Sequence, residues 1–186
     1  MRNLKKLVLV ATIAFTTNVA NAQNEKTVMV GGAAMYPTKN IVENAVNSKD
    51  HTTLVAAVKA AGLVETLQGA GPFTVFAPTN AAFDLLPDGT VQNLLKPESK
   101  TALTGILTYH VVAGKIGAAD LIKLIRAGKG EATVKTVAGG KLIASMKGNS
   151  IFLKDENGSV AMVTIKDVNQ RNGVIHVVDH VLLPKM

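Results

Sequence analysis

Four short groups of residues in this chain have types and spacings that could do chemistry. His176, Asp179 and His180 spell H-x-x-D-H. On a helix, two imidazoles four apart can share one metal ion. Tyr109-His110 pairs a phenol with an imidazole, Thr79-Asn80 a hydroxyl with an amide, and Asp167-Val168 a carboxylate with a branched apolar side chain.

The metal reading fails on local structure. Val174, Ile175, Val177, Val178 and Val181 surround the two histidines, and that density of β-branched residues predicts a strand. Four strand positions span roughly 13 Å, which two Zn–N bonds of about 2 Å cannot bridge. Alternation also sends Asp179 to the face opposite both histidines. No metal is expected. His176 is expected in the core, bonded to a backbone group, and His180 near an edge. Thr79 and Asn80 are expected to cap the helix that starts at Ala81. Tyr109-His110 closes a predicted helix, where the dipole favours a charged imidazole. If buried, both rings need partners for their polar ends.

Motifs for catalysis are missing. No G-x-S-x-G surrounds any serine, Gly128-Lys129-Gly130 runs on to Thr133 instead of a third glycine, and no Gly-Lys pair has P-loop spacing. The chain has no cysteine, which removes thiol chemistry and disulfides together. Neither an enzyme nor a bound cofactor is implied.

The elements that must position these residues change character partway along the chain. From Asn40 to about Ala127 the apolar spacing is helical, interrupted by a short strand, Phe73-Thr74-Val75-Phe76, that Pro78 ends. Gly62 and Gly128 stand where helices should stop. After Gly130 the period is two. Strands are predicted over 133–137, 141–146, 150–154, 160–165 and 174–183, separated by Gly139-Gly140, Gly148-Asn149, Asn157-Gly158 and Asn172-Gly173, which suit tight hairpins. Helices first and a strand meander second predict an α+β fold in one domain.

The N-terminus reads as an address. Arg2, Lys5 and Lys6 precede the apolar run Leu7–Phe15, and Ala20-Asn21-Ala22 follows. That order is a secretory signal peptide, with cleavage after Ala22. The run is too short to span a bilayer, which takes roughly 20 residues. Residues 1–22 are thus assigned to a signal peptide, 23–37 to a linker and 38–186 to the folded domain. The mature chain should be secreted or periplasmic, with no integral membrane segment left after cleavage. Losing three basic residues lowers the formal charge of +7 and leaves a mildly basic domain with its charges scattered. Lys123, Arg126 and Lys129 are read as a solvated helix face, and nucleic acid is not an expected partner.

Three strings carry a family resemblance: FTVFAPTNAAFDLLP from Phe73 to Pro87, ILTYHVVAGKI from Ile106 to Ile116, and NGVIHVVDHVLLP from Asn172 to Pro184. In order and spacing they resemble the first block, the Tyr-His motif and the last block of fasciclin-type domains, over roughly residues 38–184. The resemblance implies a β-wedge of two packed sheets with helices wrapped around it. It also implies a non-enzymatic module for cell adhesion or surface and extracellular-matrix association, with a protein or surface-matrix partner. Some relatives carry apolar pigments, so the alternative it implies is a carrier of a carotenoid or lipid. In animal relatives the Tyr-His region and an Asp-Ile pair take part in integrin recognition. That makes Tyr109, His110, Asp167 and Val168 the implied binding residues, although Val168 replaces the isoleucine and the preceding Glu-Pro is absent. Thr79, Asn80 and His176 fall to structural roles.

Overall fold

A computed structural model describes residues 26–185. The predicted signal peptide and residues 23–25 lie outside the described residues. The rest of the expected linker is folded. β1 (Val28–Val30) and β2 (Ala33–Met35) pair as an antiparallel hairpin, and Val30 and Met35 are buried. Three-residue strands are too short to show a period. Gly31-Gly32, read as linker residues, supply the two positive φ values of the turn, 57° and 77°.

The helical half follows. α1 (Ile41–Ala45) starts on a capping box: Glu43 N donates to Asn40 Oδ1 at 2.8 Å and Asn40 N to Glu43 Oε2 at 2.7 Å. α2 (Thr52–Ala61) ends where Gly62 turns left-handed, at φ 72°. Then come α3 (Val64–Gln68), β3 (Phe73–Pro78), α4 (Asn80–Asp84), α5 (Thr90–Leu94), α6 (Lys100–Tyr109), β4 (Val111–Ala113) and α7 (Ala118–Ala127). The meander comprises β5 (Glu131–Lys135), β6 (Lys141–Lys147), β7 (Ser150–Lys154), β8 (Val160–Gln170) and β9 (Gly173–Val178). β8 runs to Gln170 instead of Ile165, because two register shifts, between Val163 and Ile165 and between Ile165 and Val168, let it keep pairing with β9. β9 stops at Val178, short of the predicted Leu183.

Seven strands share one sheet in the order β4-β3-β9-β8-β7-β6-β5. β3 and β9 lie side by side in parallel at its heart, Val75 opposite Ile175, Phe76 opposite His176 and Ala77 opposite Val177. Both faces of this pair are covered, so the alternation of side chains sorts them between two cores. Val75, Ala77, Val111, Val168, Ile175 and Val177 face a core shared with α1, α2, α3 and α6. Phe76, Val112 and Val178 join a second core with α7, Leu142, Ala144, Ile151, Leu153, Ala161 and Val163. β8 contributes to both, Ala161 and Val163 to the second and Val168 to the first. This is the expected α+β arrangement: a helical first half, a strand-rich second half and helices packed around a bent sheet.

Candidate functional site

Tyr109 and His110 end α6 and turn inward. Tyr109 is fully buried. Its hydroxyl donates to the Lys141 carbonyl at 2.7 Å and accepts from Glu156 N at 3.2 Å. Burial, with Glu156 and Asp155 nearby, pushes its pKa up to about 12. The ring lies where a Cβ on Gly140 would approach Tyr109 Cε2 to 2.6 Å, so only glycine fits opposite it. His110 Nδ1 lies 2.9 Å from the Ile106 carbonyl, and Nε2 accepts from Leu182 N at 3.0 Å. A carbonyl only accepts and an amide only donates, which fixes a neutral ring with its proton on Nδ1. Burial drives its pKa down to about 4. The pair thus ties the helical half to the C-terminal segment, and both side chains are spent on backbone groups.

His176 is fully buried beneath the sheet and stacks on Phe76, with ring centroids 5.7 Å apart. Nε2 donates to the Ile116 carbonyl at 2.9 Å and Nδ1 accepts from Asp167 N at 3.3 Å. Burial lowers its pKa as well. Asp167 sits in the β8 irregularity with a left-handed backbone, φ 59°. Its Oδ1 accepts from Ala118 N at 2.7 Å. The α7 N-cap is Gly117, which has no side-chain acceptor, so Asp167 supplies one from another strand. Val168 is 1% exposed in the helix-side core. Of the four residues that the resemblance implies for binding, three are buried and Asp167 caps a helix. None offers a free surface group.

β9 ends before Asp179 and His180, so the expected alternation does not reach them. Asp179 Oδ1 accepts from Met162 N at 2.7 Å and lies 2.8 Å from His180 Nδ1. His180 is exposed and His176 fully buried. Among the described residues no group of three His, Cys, Asp or Glu could hold a metal ion. Thr79 caps α4 by accepting from Ala82 N at 3.2 Å. Asn80 does something different: its Oδ1 accepts from Thr53 N at 3.0 Å and its Nδ2 donates to the Lys49 carbonyl at 2.8 Å. It caps α2 from across the fold, because His51, at that helix's N-cap, makes no capping bond.

Two features were not legible in the residues taken singly. The helix-side core holds an apolar cavity of about 100 Å³, which His51 helps to line. The strand half also carries a charge excess. Residues 26–110 hold six basic and six acidic residues, and 111–185 hold eleven basic and six acidic. Five of those six acids accept backbone N–H groups: Asp120, Asp155, Glu156, Asp167 and Asp179. Lysines meanwhile stand on the outer face of the meander. Lys135 is directly opposite Lys141, Lys147 is opposite Ser150, and Lys154 lies between Ile143 and Val160. Among the described residues one lysine forms an ion pair, Lys123 with Asp120 at 3.9 Å.

Comparison with known proteins agrees with this architecture. The fasciclin domain model matches residues 49–184. The chain is 48% identical over 166 residues to protein sll1483 of Synechocystis, covering 87% of this chain and 83% of that protein. It is 38% identical over 143 residues to immunogenic protein MPB70 of Mycobacterium bovis, covering 74% of this chain and 65% of that one. It is 33% identical over 135 residues to human periostin, covering 73% of this chain and 15% of periostin. In structure it superposes on a domain pair from the insect cell adhesion molecule Fasciclin I with a TM-score of 0.70 at 19% identity, over 80% of this chain and 52% of that one. The two buried cores, the Tyr109-His110 tie and the β3–β9 pair are thus the frame of a fasciclin domain, and the chain belongs to the fasciclin domain family.

Proposed function

We propose that the mature protein is a secreted or periplasmic, non-enzymatic module that attaches to an extracellular surface or matrix through the outer face of β5 to β8. One observation carries the reading: five of the six acids of the strand half accept backbone N–H groups, while Lys135, Lys141, Lys147 and Lys154 stand on the outer face without ion pairs. Lys135 and Lys141 sit directly opposite, a like-charge pairing that lowers sheet stability by a few tenths of a kcal/mol. The fold draws no benefit from that pairing, and an anionic partner would.

The chemistry favours an acidic polysaccharide. Ile143, Phe152 and Met162 form a half-buried strip between the lysines. No arginine lies on these strands. Lysine is a flexible point charge that suits carboxylates spaced irregularly along a sugar chain, whereas nucleic-acid recognition favours arginine's planar fork. The adhesive role agrees with the cell adhesion molecule whose domains share this fold.

The test is retention of mature protein on immobilised alginate. Retention should weaken with salt and drop at least tenfold when Lys135, Lys141, Lys147 and Lys154 are all changed to Gln. Unchanged retention in that variant would remove the face from consideration, and stronger retention on DNA than on alginate would reassign the partner.

A further inference from the structure

The helix-side cavity, about 100 Å³ in volume, lies among α1, α2, α3 and β3, and its lining is almost entirely carbon. Val55, Val58, Val64 and Leu67 contribute from the helices and Val75 from the sheet, and exposed Lys59 and Thr66 belong to its rim. An apolar cavity of about 150 Å³ stays dry and takes up benzene. This one, at about 100 Å³, is of single-ring size.

His51 also lines it. The residue is 3% exposed, and its Nδ1 lies 2.9 Å from Ser48 Oγ. Its Nε2 is the one buried side-chain nitrogen or oxygen among the described residues with no hydrogen-bond partner. The Ala77 carbonyl is near enough to interact with the ring but is not in hydrogen-bonding geometry. His110 and His176, by contrast, are bonded at both nitrogens. A buried polar atom left without a partner is rare and unfavourable. A molecule with an apolar body and a single polar end matches both parts of the site.

We propose that this cavity binds a small uncharged molecule of single-ring size whose one hydroxyl or carbonyl group bonds His51 Nε2. Ser48 can donate to Nδ1 or accept from it, so Nε2 can present either a proton or a lone pair to the ligand. Burial lowers the pKa of His51 and keeps the ring neutral, which excludes a carboxylate ligand held by an imidazolium. No residue of β5, β6 or β7 lines the site, so it stands or falls apart from the adhesive reading.

The experiment is a titration of the mature protein with phenol and, separately, toluene, followed by the methyl resonances of Val55, Val58 and Val64. Both should move those methyls saturably, with phenol bound about tenfold tighter, the worth of one hydrogen bond to a buried group. His51→Leu should abolish the preference for phenol and leave toluene binding intact. The ring nitrogens of the unaltered protein give a second readout independent of that variant's folding: the His51 Nε2 resonance should shift with phenol and not with toluene. Equal affinities, or no saturable methyl shift with either probe, would overturn the proposal.

Discussion

The two cores flank one sheet and are built by opposite means. The strand-side core is filled: Leu142, Ala144, Leu153, Ala161 and Val178 are all fully buried, and His176 at its edge has both nitrogens bonded. The helix-side core retains a cavity and an unpartnered His51 nitrogen. The difference follows from the elements. A strand ladder fixes side-chain spacing by its hydrogen bonds, so facing layers interdigitate closely. Five-residue helices such as α1 and α3 have no comparable register and pack as separate rods. Their outer surfaces differ too, neutral on the helical half and basic on the strand half. Rigidity and charge thus lie in the meander, and adaptable space lies under the helices.

Truncation should break this comparison most visibly. Leu153→Ala opens a void in a filled region and is expected to cost about 4–5 kcal/mol, whereas Leu54→Ala beside the existing cavity should cost about 2–3. Urea melts of the two variants measure both, and equal losses would mean that the cores are equally packed.

Acid should come next. The folded pKa of His110, about 4, lies below the ordinary 6.5, so between these values the unfolded chain binds more protons than the folded one. The stability contributed by the neutral ring is complete above pH 6.5 and is lost as pH falls towards 4, on the order of 3 kcal/mol. His51 and His176 are shifted in the same direction. Denaturant midpoints at pH 7 and pH 4.5 check it, and no drop between them would contradict the burial of these rings.

The smallest contrast is also the most diagnostic. Adding one methylene by Val58→Ile, in the cavity wall, should be neutral or stabilising by about 0.5 kcal/mol. The same addition by Val178→Ile, in the filled core, should destabilise by about 1–2 kcal/mol. Thermal midpoints that move the same way in both would erase the distinction.

Much of the frame was legible in the residues. Gly62 announces the end of α2, and Ser150 to Lys154 a strand found at those limits. These signals are local, since a cap, a left-handed turn or an alternation needs only neighbours in the chain. The hairpin from Val28 to Met35 was missed because three residues cannot show a period, and its pairing is decided by burial against the helix-side core. Asn80 and Asp167 each cap a helix distant in sequence, α2 and α7, which no local pattern encodes.

The sequence by itself determined the α+β order, the three motifs of the family and the absence of thiol chemistry, because composition and short-range spacing are written in the chain. The tertiary structure decided which polar groups are left over. It consumed Tyr109, His110, Asp167 and His176 in internal bonds and left His51 Nε2 and the meander lysines without partners. Whether a side chain is satisfied depends on groups brought close only by folding, and so no reading of the isolated residue could supply it.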